Sequence, residues 1–202
     1  MTRTSSLPAP VRQHLAALRV LLVLTVVTGV LYPLALTAVG RLMAGRADGS
    51  LLQHDGKTVG SSLLGQPFTT ADGDALPQWF QVRPGGYDPL ASGASNLGPN
   101  NPDLVRLVKQ RRAAVAAADG VPTRDVPPDA LTASGSGLDP DISPAYAYEQ
   151  VDRVAKARGL DPEAVRRLVR NHVQGRALGV LGEPRVNVLE LNLALLKLAA
   201  GR

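Results

Sequence analysis

From Val20 to Gly40 the chain runs for 21 positions without a charge, reading VLLVLTVVTGVLYPLALTAVG. About 20 apolar residues in a helix match the roughly 30 Å hydrocarbon core of a bilayer. Backbone that enters lipid must satisfy its own hydrogen bonds, which selects helix over open strand. The run is the only one of its kind in the chain. A secretory signal is the main rival reading: Arg3, Arg12 and Arg19 supply a basic start, and Ala38-Val39-Gly40 has the small-residue character of a cleavage site. The apolar core of a signal spans only about 7–15 residues, however. Arg41 also follows at the point where processing is expected. A buried soluble helix would be shorter and amphipathic. The expectation is therefore an uncleaved anchor, which divides the chain into a basic flank (1–19), a transmembrane helix (20–42) and one soluble domain (43–202).

Three arginines precede the span and two, Arg41 and Arg46, follow it. The positive-inside rule counts these charges and puts the N-terminus in the cytoplasm and the soluble domain outside. Within the span, Pro33 frees a carbonyl and favours a kink, and Gly29, Ala35 and Ala38 would let another helix approach closely.

Charge away from the span excludes one class of partner. The whole chain carries +5. Residues 44–202 hold 18 Lys and Arg against all 17 acids, a net of only +1. That balance gives no general nucleic-acid footprint. The chain has no cysteine, which removes disulfides, thiolate nucleophiles and thiolate metal sites.

The soluble part reads as α+β, a single mixed domain with a few short strands. Leu51–Leu64 suits a hairpin turning at Gly56, and Trp79–Val82 reads as a strand stopped by Arg83-Pro84-Gly85-Gly86. Tyr87–Pro102, YDPLASGASNLGPNNP, is a loop of Gly, Pro, Ser and Asn, longer than most connections. A helix from Pro102 to Ala118 follows, with Asn101 as its cap and Gly120 at its end. Val121–Pro144 is a second irregular stretch, interrupted by Pro127 and Pro128. Ser143-Pro144 opens a helix ending near Gly159, and Asp161-Pro162-Glu163 opens another running to His172. Arg185–Val188 suits a strand, and Leu189–Ala200 a closing helix.

The residues themselves offer no catalytic centre. Neither a P-loop pattern nor a G-x-S-x-G elbow occurs, and Ser134-Gly135-Ser136-Gly137 lacks dinucleotide-loop spacing. His14, His54 and His172 stand far apart. Asp139 and Asp141 flank Pro140 and have the oxygens a cation would use, but such acids more commonly form turns. No catalytic or metal residue is assigned, and no nucleotide-binding residue is identified.

Three longer segments are more specific. SGASNLGPNNP (Ser92–Pro102), ALTASGSGLDPDISP (Ala130–Pro144) and LGEPRVNVLELNLAL (Leu181–Leu195) follow one another behind the span. Together with Thr28-Gly29, Tyr32-Pro33 and the helix Val151–Arg158, they resemble the C subunit of the Kdp potassium-transporting ATPase over most of the chain. In that family's second motif histidine usually stands where this chain has Asp141, so any role of that histidine does not carry over. The resemblance implies a non-catalytic accessory subunit in a bacterial inner membrane. Its partners would be a channel-like potassium-conducting subunit and a P-type ATPase subunit that hydrolyses ATP. It also implies no tightly bound cofactor, with ATP reached through the complex.

Two roles follow from the resemblance. One is assembly and stabilisation, with the outer domain over the channel mouth and its polar groups offered to the ion. The alternative is a catalytic chaperone that raises the ATPase subunit's affinity for ATP in a transient ternary complex, which for direct contact requires a cytoplasmic domain. The expected partner-contact residues are Ser95, Asn96, Asn100 and Asn101 in the first loop and Ser134, Ser136 and Asp139 in the second. Beside this stands the plainer reading that these residues only satisfy turn geometry.

Overall fold

The computed structural model describes residues 8–201. It divides into two units, one running through Gly49 and one from Ser50 onward. The first unit is helical. It comprises α1 (Ala9–Val26), a π-helical turn (Val27–Leu31), α2 (Tyr32–Leu42) and the short α3 (Ala44–Ala47). Ala9–Leu42 is long and apolar enough to cross a membrane, and its apolar side chains from Val20 to Val39 are exposed.

The wide turn has a local cause. Pro33 has no N–H to give to the carbonyl four residues back, so an unbroken α ladder is impossible there. The helix widens instead, and Tyr32 N–H donates to the Val27 carbonyl five residues earlier. Thr25, Thr28 and Thr37 return their hydroxyls to the carbonyls of Leu21, Leu24 and Pro33 at 2.7–2.8 Å. The three threonine hydroxyls are thereby satisfied within the helix, as an apolar surrounding would demand.

The second unit is α+β. A hairpin, β1 (Leu51–His54) and β2 (Lys57–Ser61), turns at Asp55-Gly56 with φ of 50° and 75°. Two positive φ values mark the two-residue turn that matches strand twist. The helices are α4 (Pro102–Asp119), α5 (Pro144–Glu149), α6 (Val151–Arg158), α7 (Pro162–His172) and α8 (Val188–Ala200). A two-residue ladder pairs β3 (Asp141–Ile142) with β4 (Val186–Asn187), antiparallel.

The helix starts follow the capping logic read from the sequence. Asn101, Ser143, Asp161 and Asn187 each accept a hydrogen bond from a first-turn N–H. Proline follows the first three of them. The helix expected to run from Pro144 to Gly159 is broken at Gln150, where ψ opens to −11°. The strand expected at Arg185–Val188 shortens to two residues, because Asn187 caps α8 and Val188 is already helical.

The core is made by Phe80, Ile142, Ala147, Val151, Val154, Val165, Val169, Val186, Val188, Leu191 and Leu195, each at most 2% exposed. In α7 the buried Val165 and Val169 lie one turn apart, while Arg167 and Arg170 face solvent. α4 is packed far more lightly. Its inward residues Leu104, Leu107, Val108, Arg111 and Val115 are only half-buried, and Ala116 is its one buried residue.

Trp79–Val82 is not a strand, and this overturns the expectation. The segment is extended through the core, but side-chain amides do the work of neighbouring strands. Asn192 accepts from Phe80 N–H and donates to Phe80 C=O, both at 3.0 Å. Gln150 accepts from Gln81 N–H at 2.6 Å and donates to Gln81 C=O at 3.2 Å. Arg153 donates to the carbonyls of Pro77 and Trp79, and Arg158 to that of Gln78. Buried backbone must be paired, and here helix side chains pair it.

Candidate functional site

The two motif loops lie against one another, joined at backbone carbonyls of the second loop. Four consecutive carbonyls of the second loop accept bonds. The Ser136 carbonyl takes Gly93 N–H at 2.8 Å and Ser92 Oγ at 3.1 Å. The Gly137 carbonyl takes Tyr87 N–H at 3.2 Å, and the Leu138 carbonyl takes Gly65 N–H at 2.9 Å. The Asp139 carbonyl takes the Tyr87 hydroxyl at 3.3 Å, which also donates to the Arg83 carbonyl at 2.8 Å. Burial first, and then the Asp139 charge, push the Tyr87 phenol well above its usual range. It therefore stays protonated and stays a donor.

Glycine is required at two of these contacts. Gly137 has φ 70°, and a Cβ there would stand 2.9 Å from the Gly93 carbonyl. At Gly65 a Cβ would meet the Asp139 carbonyl at 2.6 Å and also the Tyr87 ring. Real Cβ atoms do not approach so closely, so a side chain at either position would separate the loops.

The second loop spends its polar groups on its own turns. Ser134 Oγ accepts from Gly137 N–H at 2.9 Å, Ser136 Oγ from Leu138 N–H at 3.1 Å, and Asp139 Oδ1 from Asp141 N–H at 3.0 Å. Ser134 is only 5% exposed. Asp139 also holds Arg83 at 3.3 Å. In the first loop Asn101 is committed as the α4 cap, accepting from Asp103 N–H at 2.8 Å. Ser95, Asn96 and Asn100 are exposed and make no hydrogen bond among the described residues. Asn96 has φ 53°, a left-handed conformation that asparagine tolerates better than most residues. The seven sequence-derived residues thus fall into two groups. Asn101, Ser134, Ser136 and Asp139 shape the loops, and Ser95, Asn96 and Asn100 are presented by them.

Beside the joint lies a polar cleft of about 440 Å³, lined by Arg83, Asp129, Asp139, Asp141, Ser143 and Arg185 among others. Asp141 pairs with Arg185 at 2.9 Å. Burial raises its carboxyl above the usual range, and the Arg185 charge opposes that. Asp129 accepts from both the N–H (2.7 Å) and the hydroxyl (2.9 Å) of Ser143. These acids are engaged by arginine and by a helix start. Among the described residues no three His, Asp or Glu side chains are grouped so as to hold a metal ion.

Sequence reasoning missed a second polar centre. Asp119 and Arg153 form an ion pair with side chains only 3% and 10% exposed. Glu149 stands beside them, its Oε1 buried without a hydrogen-bond partner among the described residues. Burial and the charge of Asp119 push the Glu149 carboxyl up to about 7. Next to it an apolar cleft of about 330 Å³ is walled by Ala75, Pro77, Ala114, Val115 and Ala118. The only sequence signal was a lone glutamate on an otherwise apolar helix start, YAYE, and the carboxylate beside it, Asp119, comes from α4, 30 residues away.

The fold and loops define a small α+β domain behind one membrane-length helix, with two motif loops joined into a platform. Comparison with known proteins gives the family. The family model for the c chain of the K+-transporting ATPase matches residues 14–197. The chain is 60% identical over 188 residues to the potassium-transporting ATPase KdpC subunit of Kineococcus radiotolerans, covering 91% of this chain and 93% of that one. It is 48% identical over 218 residues to the KdpC subunit of Streptomyces coelicolor (97% of each). It is 54% identical over 185 residues to that of Sorangium cellulosum (89% and 94%). The chain belongs to the family of the K+-transporting ATPase c chain.

Proposed function

We propose that this chain is a non-catalytic accessory subunit of an ATP-driven potassium-uptake complex. In this reading it assembles and stabilises a channel-like potassium-conducting subunit and a P-type ATPase subunit that hydrolyses ATP. Its apolar helix packs among the partners' helices in a bacterial inner membrane, with the N-terminus cytoplasmic and the soluble domain outside. It carries no tightly bound cofactor of its own, and ATP belongs to the partner.

One observation carries the docking role. The first motif loop is long and irregular, yet Tyr87, Ser92 and Gly93 are bonded to the carbonyls of Gly137 and Ser136 at one end and Asn101 caps α4 at the other, so Ser95, Asn96 and Asn100 are exposed between two fixed ends. A loop held at both ends loses less conformational freedom on docking than a free one, which favours association. Ser134, Ser136 and Asp139 contribute by holding that shape.

The test is co-purification of the other subunits from native membranes by a tag on this chain. Asn96→Ala with Asn100→Ala is expected to reduce the co-purified partners and potassium-stimulated ATP hydrolysis together, while the chain itself stays folded. Full retention of both would remove the docking role of this loop. Protease protection of a C-terminal tag in spheroplasts tests the orientation. Cleavage by external protease agrees with an outer domain. Protection until the membrane is breached would turn attention to the alternative, an ATP-affinity chaperone acting from the cytoplasm.

A further inference from the structure

One cleft is used neither by the core nor by the loop platform. It lies beside the Asp119–Arg153 ion pair and holds about 330 Å³. Its apolar walls are Ala75 and Pro77 and, from α4, Ala114, Val115 and Ala118. An apolar cavity of about 150 Å³ accepts benzene, so this space takes a single ring or short branched chain with a few substituents. The polar lining is Gln81, Asp119, Tyr146 and Arg153. Tyr146 is the informative member. It is only 5% exposed, and its N–H donates to Ser143 Oγ at 3.1 Å, which fixes it at the start of α5. Yet its hydroxyl makes no hydrogen bond among the described residues. Nor is that hydroxyl sealed in, because the buried side-chain atoms without partners among the described residues are Glu149 Oε1 and Arg158 Nη2. A tyrosine hydroxyl this deep in a domain normally has a partner. Burial first, and then the Asp119 charge, hold the Tyr146 phenol well above its usual range, so it remains a donor.

We propose that this cleft binds a small alcohol or phenol, with the apolar body against Ala114 and Ala118 and the hydroxyl between Tyr146 and Asp119. The polar pattern selects that group. Tyr146 has a proton to give, and Asp119 has lone pairs beyond the one that takes Arg153 Nε. A hydroxyl accepts from the first and donates to the second. A carbonyl only accepts and an ammonium only donates, so each leaves one of the two unmatched. A carboxylate meets the charge of Asp119. The guanidinium that could offset it is already spent on Asp119, the carbonyls of Pro77 and Trp79, and Gln150. The site does not depend on the accessory role, but it touches the same region of the fold. Occupancy adds apolar contact to α4, whose one buried residue is Ala116. A ligand bound only by the folded form stabilises that form, here through the helix that follows the first motif loop.

The test uses the full chain in detergent and fluorine NMR of 4-fluorophenol, with detergent alone as the blank. Saturable line broadening above the blank is expected. Fluorobenzene, which lacks the hydroxyl, and 4-fluorobenzoate, which carries a charge, should each bind about tenfold more weakly or less, the scale of the lost hydrogen bonds. Tyr146→Phe keeps the ring and removes the donor. It should weaken 4-fluorophenol by about tenfold and leave fluorobenzene unchanged. Ala114→Leu fills the cleft from an exposed helical position where leucine is well tolerated, and should abolish the binding of both. Should Tyr146→Phe fail to fold, the probe comparison and Ala114→Leu still decide. No saturable signal above the blank overturns the proposal. So does equal binding of 4-fluorophenol and fluorobenzene, which would make the cleft an apolar hollow only, or tighter binding of 4-fluorobenzoate. Binding retained by Ala114→Leu overturns it as well, because the probe would then lie elsewhere.

Discussion

Glu149 shows how far one residue's chemistry depends on residues remote in sequence. Its carboxyl is raised from 4.5 to about 7 by burial and by the carboxylate of Asp119. The folded chain therefore holds a proton between about pH 4.5 and 7 that the unfolded chain has released, and stability falls as pH rises through that window. Glu149→Gln keeps the neutral shape and removes this slope. Its melting temperature is expected to exceed that of the parent chain at pH 8 and to match it at pH 4.5. The gain should be on the order of 1 kcal/mol, well below full linkage, because the group is partly solvated. Melting curves at both pH values check this, and an equal difference at both would refute it. Asn192 makes a contrasting case. Both its amide groups bind the Phe80 backbone at 3.0 Å in a fully buried setting. Asn192→Ala leaves two buried backbone groups unpaired, with an expected loss of about 2–4 kcal/mol in denaturant unfolding. A loss below about 1 kcal/mol would mean that water had replaced the amide.

At the scale of elements, packing is uneven. α4 has good propensity, a proline start and an Asn101 cap, but Ala116 is its only buried residue. α8 buries Val188, Leu189, Leu191, Asn192 and Leu195. A helix held by few buried contacts opens at low free-energy cost. Amide hydrogen exchange should therefore be faster in Leu104–Arg112 than in Leu191–Leu195, by a factor of about ten or more. Equal protection would show that α4 unfolds only with the rest of the domain. The same contrast bears on loop function, because only the cap Asn101 separates the exposed Asn100 from α4. The Arg153 ion pair with Asp119 is the main polar tie between α4 and α6. Arg153→Met strands a buried carboxylate and removes two carbonyl contacts as well, with an expected destabilisation of about 3–5 kcal/mol. An unchanged denaturation midpoint would show that Asp119 had found another partner.

For the molecule as a whole, the division after Gly49 has a direct consequence. Every buried core residue from Phe80 to Leu195 lies in the second unit. A fragment of residues 50–202 is therefore expected to unfold in one cooperative transition, at a midpoint within a few degrees of the full chain in detergent. Loss of cooperativity, followed by far-UV circular dichroism, would mean that the helical unit contributes to the domain's stability. An intact fragment would let docking through the loops be measured apart from anchoring through the helix.

Some of this was legible in the sequence because the signal is local. An uncharged run of 21 residues, proline after a capping side chain, and Asp-Gly between two apolar pieces each act over a few residues, and the structure repeats them. The motif segments also identified the family, since their order and length are specific. What failed was long-range. Trp79–Val82 has the composition of a strand, but what pairs its backbone is a pair of side-chain amides, one from the α5–α6 junction 69 positions away and one from α8, 112 positions away. Nothing within the segment states that. Nor does the sequence state that Ser134 and Ser136 close turns beside the contact of Gly137 with Gly93. Sequence alone determined the apolar helix, the helix starts and the family. Tertiary structure decided which polar residues are spent inside and which face outward, because that depends on where distant backbone carbonyls come to lie.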